Sequence, residues 1–334
     1  MAMASTTIPT LDFTRFREGS TLERQTFSEQ LLAGFVRYGF VKVVNHGIED
    51  HMIQGIFDQS KEFFEMPERL KLKAEHPPRP DPHRGWSRVG KEKLAGITGF
   101  QKGVRNPKIV DDAKESFDIG SNQDPLFPNI WPDEEDLPVF KAFTSSYFEQ
   151  CHEVHMGILR CIELALHLTE GRLESLCCAN HTELRLTHYP EIDVDSLRGG
   201  KRNRITEHTD FGTITLLWQD STGGLEVEDP LAPGVYIPVE TKHKSEMVVN
   251  IGDTLQRWTN DTLCSVNHRV TIPVSMRDHD RGMLPARTSI AFFGKANRDA
   301  SLRCLSEFSR DRPPRFDEDV TALEYNQRMV EKTY

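Results

Sequence analysis

Several things are missing from this 334-residue chain, and each absence removes a class of function. The six cysteines (Cys151, Cys161, Cys177, Cys178, Cys264 and Cys304) form no Cys-x-x-Cys pair and no regular framework, which points to reduced thiols in an intracellular compartment. No uninterrupted apolar run approaches the roughly 20 residues that a bilayer-spanning helix needs. There is no basic block either: 41 Lys and Arg against 51 Asp and Glu leave a net charge of −10, which argues against a general affinity for nucleic acid or membrane surfaces. A Gly-rich dinucleotide or phosphate loop is absent, and so is a repeat of fixed period. Residues 1–7 lack the apolar core of a secretion signal and the arginines of a transit peptide, so a cytoplasmic protein is expected. Nothing in the sequence implies an obligate protein partner.

What is present centres on Arg204-Ile205-Thr206-Glu207-His208-Thr209-Asp210-Phe211-Gly212, followed by the β-branched, apolar run 213–218. Side chains alternate along a strand, so His208 and Asp210 are expected to project the same way, able to grip one metal ion. With 13 His and 23 Asp in the chain, about one His-x-Asp arises by chance, so the tripeptide needs support from its surroundings. His268, in Ser265-Val266-Asn267-His268-Arg269-Val270, supplies a third ligand at the entry of another strand. Two imidazoles and a carboxylate on one face suit a non-haem Fe(II) centre with open positions, although the same donors also suit zinc. Further on, alternation in 287–293 puts Arg287 and Ser289 on one face, a receptor for a carboxylate, opposite Ile290 and Phe292. In 184–190 it groups Arg185, Thr187 and Tyr189 opposite Leu184 and Leu186.

Taken in order, Arg185-x-Thr187-x-Tyr189-Pro190, His208-x-Asp210, Asn250-Ile251-Gly252-Asp253, His268-Arg269-Val270 and Arg287-x-Ser289 resemble the 2-oxoglutarate/Fe(II)-dependent dioxygenases, in the subgroup that includes isopenicillin N synthase. Residues 8–12 and 38–48 are similar to that family's opening blocks, so the resemblance covers nearly the whole chain; Thr187 stands where many members carry Asn. The resemblance implies a double-stranded β-helix core, a cupin-like jelly roll. It implies Fe(2+) on His208, Asp210 and His268, with 2-oxoglutarate bound by Arg287, Ser289, Tyr189 and Thr187. It further implies O2 as cosubstrate, ascorbate as reductant in vitro, and oxidation of a small molecule, most simply by hydroxylation, with release of succinate and CO2. Substrates of such enzymes include secondary metabolites, amino acids and nucleobases. Two alternatives stay open: an oxidase of the isopenicillin N synthase kind that needs no 2-oxoglutarate, and a non-catalytic metabolite-binding module.

The rest of the chain reads as mainly β with flanking helices. Residues 8–12 and 40–44 suggest strands, and Ser20-Thr21-Leu22-Glu23 has the form of a capping box for a helix over 21–38. Apolar spacing marks a second helix through Ile53 to Phe64 and a long one over 138–168, on which the sheet is expected to rest. Between them, 75–138 is rich in Pro, Gly and Asp and reads as a loop that closes over a pocket, with Arg84, Trp86 and Arg88 as lid candidates. Short β runs at 184–189, 205–218, 224–228, 235–239, 247–251, 266–272 and 287–293 point to a sandwich or jelly roll. The tail from 318 reads as a helix able to cover the pocket mouth. These features divide the chain into an N-terminal region (1–120), a connecting segment with the long helix (121–180), the core (181–300) and a helical tail (301–334) within one unit. Two further residues are nominated for substrate contact: Arg185, for which a structural salt bridge is an equal alternative, and Phe211, beside the metal ligands. His152 and His155 have the spacing of a metal pair on a helix but lack a third ligand.

Overall fold

The computed structural model describes residues 7–77, 81–94, 111–199, 202–278, 281–310 and 312–332. Five helices are used below: α1 (Thr21–Tyr38), α2 (Asp50–Glu65), α3 (Phe140–Ala165), α4 (Asp253–Trp258) and α5 (Ala322–Val330). The strands that build the site are β1 (Thr10–Asp12), β2 (Phe40–Val44), β3 (Gly85–Ser87), β4 (Glu115–Ile119), β5 (Glu183–Tyr189), β6 (Ile205–His208), β7 (Ile214–Gln219), β8 (Leu225–Glu228), β9 (Tyr236–Pro238), β10 (Met247–Ile251), β11 (His268–Val270) and β12 (Arg287–Phe293). Eight of them form one sheet in the order β1-β2-β10-β7-β12-β5-β4-β3, and four form a second in the order β9-β8-β11-β6. Strands from residues 10–44 and from 247–293 therefore hydrogen-bond within a single sheet.

Period-two alternation decides what each face of the large sheet meets. Leu184, Leu186, Leu216, Trp218, Val249, Ile251, Ile290 and Phe292 pack on one side with α1, α2 and α3, in a core that also holds Phe27, Phe63, Phe140 and Ile158. The opposite face looks toward the small sheet, where Phe40, Tyr189 and Val248 meet Leu225, Val227, Ile237 and Val270. Two sheets packed over such a filled space make the jelly roll. Burying one fully apolar side chain stabilises by about 1.5–3 kcal/mol, so the helix-side core anchors the sheet that carries the polar groups.

α1 starts where expected: Ser20 and Glu23 bond each other's backbone in a capping box, and Gly39 closes the helix in the left-handed conformation with φ 69°. α3 spans Phe140–Ala165, inside the expected 138–168, with its apolar stripe under the sheet. His155 in that stripe is fully buried and its Nε2 lies 3.0 Å from Thr213 Oγ1, which ties α3 to the residue that precedes β7.

Two expectations need correction. The run 205–218 is not one strand: β6 ends at His208, the chain crosses between sheets, and β7 begins at Ile214. Asp210 therefore sits in the crossing and not in strand alternation with His208. Within the crossing, backbone packs closely on backbone: a Cβ on Gly212 would lie 2.2 Å from the Gly294 carbonyl oxygen. Second, 75–138 is less loop-like than its composition suggests. β3 and β4 extend the large sheet; Arg84 and Trp86 are buried, the indole donating to Glu115 at 2.8 Å; only Arg88 stays exposed, paired with Glu75. The lid reading of residues 78–80 and 95–110 falls outside the described residues. Past the end of β10, Asp253 opens α4.

Candidate active site

β6 and β11 run antiparallel with His268 directly opposite His208, which brings the two imidazole centroids to 4.3 Å. Asp210 Oδ1 lies 3.8 Å from His208 Nε2 and 3.7 Å from His268 Nε2. Those gaps are too long for hydrogen bonds and suited to a cation held between the three atoms. The remaining atoms of each group are fixed from behind. His208 Nδ1 meets the Thr206 carbonyl at 2.9 Å and His268 Nδ1 the Val266 carbonyl at 3.3 Å, which puts the protons on Nδ1 and aims both Nε2 lone pairs at the gap. Asp210 Oδ2 accepts from Thr215 Oγ1 at 2.6 Å and Asn250 Nδ2 at 2.8 Å, leaving Oδ1 to the centre.

Electrostatics agree with that geometry. Burial pushes the His208 imidazole down and the neighbouring His268 adds to it, so His208 is neutral and its lone pair is available. Burial pushes the Asp210 carboxyl up, but the two imidazoles with Thr215 and Asn250 outweigh it and hold the group below its ordinary value, ionised. Two imidazole nitrogens and one carboxylate form a donor set able to hold a divalent ion.

The second feature is a column of paired residues. β12 and β5 set Arg287 opposite Tyr189, Ser289 opposite Thr187 and Ala291 opposite Arg185. Arg287 is 1% exposed; its Nη2 donates to Gln219 Oε1 at 2.8 Å, its guanidinium lies 4.7 Å from the Tyr189 ring centroid, and its Nε and Nη1 have no acceptor. A buried guanidinium with unmet donors needs an anion, because an unpaired charge inside a protein costs several kcal/mol. Behind it sits Arg204, fully buried, bonded to the Pro285 carbonyl and also with Nε and Nη1 unmet. Burial and then the Arg287 charge lower Arg204 to about 10. Neither Gln219 nor Arg204 was nominated from the sequence; a polar residue ending the apolar run 214–218 was the available signal for the first.

The third wall is charged. Arg185 donates to Glu92 at 3.0 Å through both terminal nitrogens and to Asp118 at 2.7 and 3.2 Å. Lys114 bonds Glu92 as well, and Lys295 bonds Glu183 at 2.6 Å. The salt bridge held open for Arg185 is thus present. Burial opposes ionisation of Glu92, yet Arg185 and Lys114 hold its carboxyl well below the usual range. A second acid-imidazole group, His83 with Glu92 and Asp118, is tight enough for a metal, its ligand atoms within 4.8 Å of one another. Two cations already on Glu92 make it a poor host for a third. All nine residues nominated from the sequence line one cavity of about 1070 Å³, open to solvent on one side.

A jelly roll that brings a His-Asp-His triad beside a buried arginine seeking an anion has the parts of a non-haem, cosubstrate-dependent oxygenase. Comparison with known proteins gives the same class. Residues 8–134 match the model of the non-haem dioxygenase N-terminal region described from morphine synthesis, and residues 175–296 match that of the 2OG-Fe(II) oxygenase superfamily. The 2-oxoglutarate-dependent dioxygenase frbA of Dothideomycetidae sp. (strain 11243) is 45% identical over 328 residues, 98% of this chain and 97% of its own length. Proline hydroxylase buaE of Petromyces alliaceus is 46% identical over 325 residues, covering 97% and 98% of the two chains. Among solved structures, Neurospora crassa T7H in complex with alpha-KG and thymine superposes with a TM-score of 0.85 at 32% identity, over 98% of this chain and 97% of that one. The chain belongs to the 2OG-Fe(II) oxygenase superfamily. It is a 2-oxoglutarate-dependent oxidoreductase that uses Fe(II), 2-oxoglutarate and O2. Among the described residues, no helix is long and apolar enough to cross a membrane.

Proposed function

We propose that this enzyme hydroxylates a small amino-acid metabolite in the cytoplasm, with iron on His208 Nε2, Asp210 Oδ1 and His268 Nε2. The observation that carries the metal assignment is the convergence of those three atoms, each with its other end already bonded to the protein. When bound, the metal and its cosubstrate supply the oxidant that turns a substrate C–H into C–OH while 2-oxoglutarate leaves as succinate and CO2. In this reading the distal carboxylate of 2-oxoglutarate takes the unmet Arg287 donors and Ser289, with Tyr189 and Thr187 walling the same end. Arg287 then discriminates among keto acids by demanding a second carboxylate.

The amino-acid class is supported by the charged wall across from the triad, where Glu92, Lys114, Glu183, Arg185 and Lys295 place both signs of charge on the cavity. A zwitterion is solvated by such a wall better than a hydrocarbon is. The relative named as a proline hydroxylase points the same way. Phe211, which packs with Leu94, Met329 and Tyr325, offers the substrate an apolar flank beside the metal. Arg185 acts mainly by holding Glu92 and Asp118 in place. The cytoplasmic placement rests on six free thiols. The test is turnover of free amino acids, L-proline first, with Fe(II), ascorbate and 2-oxoglutarate. One succinate per hydroxylated product is the expected result. Product formed without succinate would show the oxidase chemistry instead, and succinate release that no amino acid stimulates would exclude the substrate class.

A further inference from the structure

Besides the two nitrogens of Arg287, another polar atom in the cavity wall has nothing to bond to. It belongs to α5, whose position is tightly set. Thr321 and Glu324 close a capping box at its start, with Thr321 N donating to Glu324 Oε2 at 2.9 Å. In the next turn Tyr325 Oη donates to Asp253 Oδ2 at 2.8 Å. Asp253 lies three residues after Asn250, which holds Asp210 Oδ2. The tail helix is thereby pinned to the strand end that positions the triad. Its rotation puts the next residue, Asn326, in the wall of the cavity that holds His208, Asp210 and His268.

Asn326 is 9% exposed, and its Oδ1 is buried without a hydrogen-bond partner. Its neighbours along the helix, Met329 and Val330, are apolar and buried, so they offer that oxygen no donor. Asn326 also borders a smaller cavity of about 410 Å³ on the far side of Phe211, which places it at the junction of the two spaces. Buried carbonyl oxygens in native proteins are almost always bonded, and one left open at a ligand cavity marks where a ligand donor goes.

We propose that Asn326 is a specificity-determining residue whose Oδ1 accepts a hydrogen bond from an N–H of the substrate. This selects amines, imino acids and N–H-bearing heterocycles over carboxylic acids and hydrocarbons that carry no such donor. The proposal rests on the reading above that the cavity beside the triad holds the substrate, and it does not depend on that substrate being an amino acid. A site built to bond an N–H rejects the analogue that lacks it, because the oxygen is then left unpaired.

The experiment uses the full chain with Fe(II), ascorbate and 2-oxoglutarate, and two pairs of probes. L-proline is set against its N,N-dimethyl betaine, and thymine against 1,3-dimethylthymine. Wild type is expected to respond to at least one N–H compound and not to its methylated partner. N326L is expected to raise the KM for the active compound by on the order of ten- to hundredfold, the effect of losing one hydrogen bond to a charged or strongly polar group, with kcat much less changed. N326D keeps an acceptor and is expected to recover most of that loss. The KM for 2-oxoglutarate in the same variants separates a local effect from a folding defect, which moves both constants. An N326L enzyme with wild-type KM, or a wild type that accepts the methylated partner equally well, overturns the proposal. If L-proline is inert and thymine active, the amino-acid reading falls and the thymine pair decides the role of Asn326. If neither N–H compound stimulates succinate release, the proposal falls.

Discussion

Replacing Arg185 by alanine separates a structural from a substrate-binding arginine, and the structure sets the size of the effect. The guanidinium donates four hydrogen bonds of 2.7–3.2 Å to Glu92 and Asp118, both almost wholly buried. Its removal leaves Glu92 with Lys114 and takes from Asp118 the cation nearest it. Breaking a buried ion pair from one side costs about 3–5 kcal/mol. For a chain of 334 residues the unfolding entropy is about 0.7 kcal/mol per kelvin, so the melting temperature of R185A should fall by roughly 4–7 °C at pH 7. The loss should also depend on pH. In the wild type, burial already pushes the Asp118 carboxyl up, with Arg185 pulling it back. Without Arg185 it rises further above its unfolded value, so the penalty develops as pH climbs through the folded value and vanishes below the unfolded one. Melts of R185A and wild type at pH 5, 6.5 and 8 should therefore diverge most at pH 8. A variant that melts within a degree of wild type at all three would refute the reasoning and return Arg185 to direct substrate binding.

Three other outcomes follow from the same geometry. R287L should weaken 2-oxoglutarate by on the order of a hundredfold, measured by anaerobic calorimetry with Mn(II), since the buried cation with unmet donors is gone; unchanged affinity would mean the cosubstrate anchors elsewhere. Burial raises the Glu183 carboxyl, but Lys295, Arg84 and His83 outweigh it and bring it down to about 2. Its stabilisation, of order 3 kcal/mol, is complete above the unfolded value near 4.5 and lost as pH falls toward 2; E183Q should flatten acid unfolding in that window, and an unaltered acid transition would contradict the network. G212A, whose new Cβ would sit 2.2 Å from the Gly294 carbonyl oxygen, should lower both stability and metal affinity, read from melts and bound iron; wild-type values for both would show that the crossing loop relaxes freely.

Much of the site was legible because strand alternation is a local rule. The period-two pattern in 184–189 and 287–293 placed Arg185, Thr187, Tyr189, Arg287 and Ser289 on the cavity side, and the capping box at Ser20 set the start of α1. Where backbone meets backbone from distant parts of the chain, local rules fail. β6 and β7 pair into different sheets, and the crossing between them packs Gly212 on Gly294, which no window around His208 contains. The partners of Arg185 lie 93 and 67 residues away in a stretch whose Pro and Gly content suggested a loop, so the salt bridge and the substrate role could not be told apart beforehand. Arg204 and Asn326 escaped notice for the same reason: an arginine ahead of a strand or an asparagine in an amphipathic helix is ordinary until the fold buries it with polar atoms left unbonded.

The account stands on three side chains sharing one ferrous ion, and anaerobic Fe(II) titration of the wild type, D210A and E92A addresses that directly. Wild type and E92A should each bind one equivalent, while D210A binds none at the same concentration. Iron retained by D210A and lost in E92A would move the metal to the group around His83 and contradict the assignment.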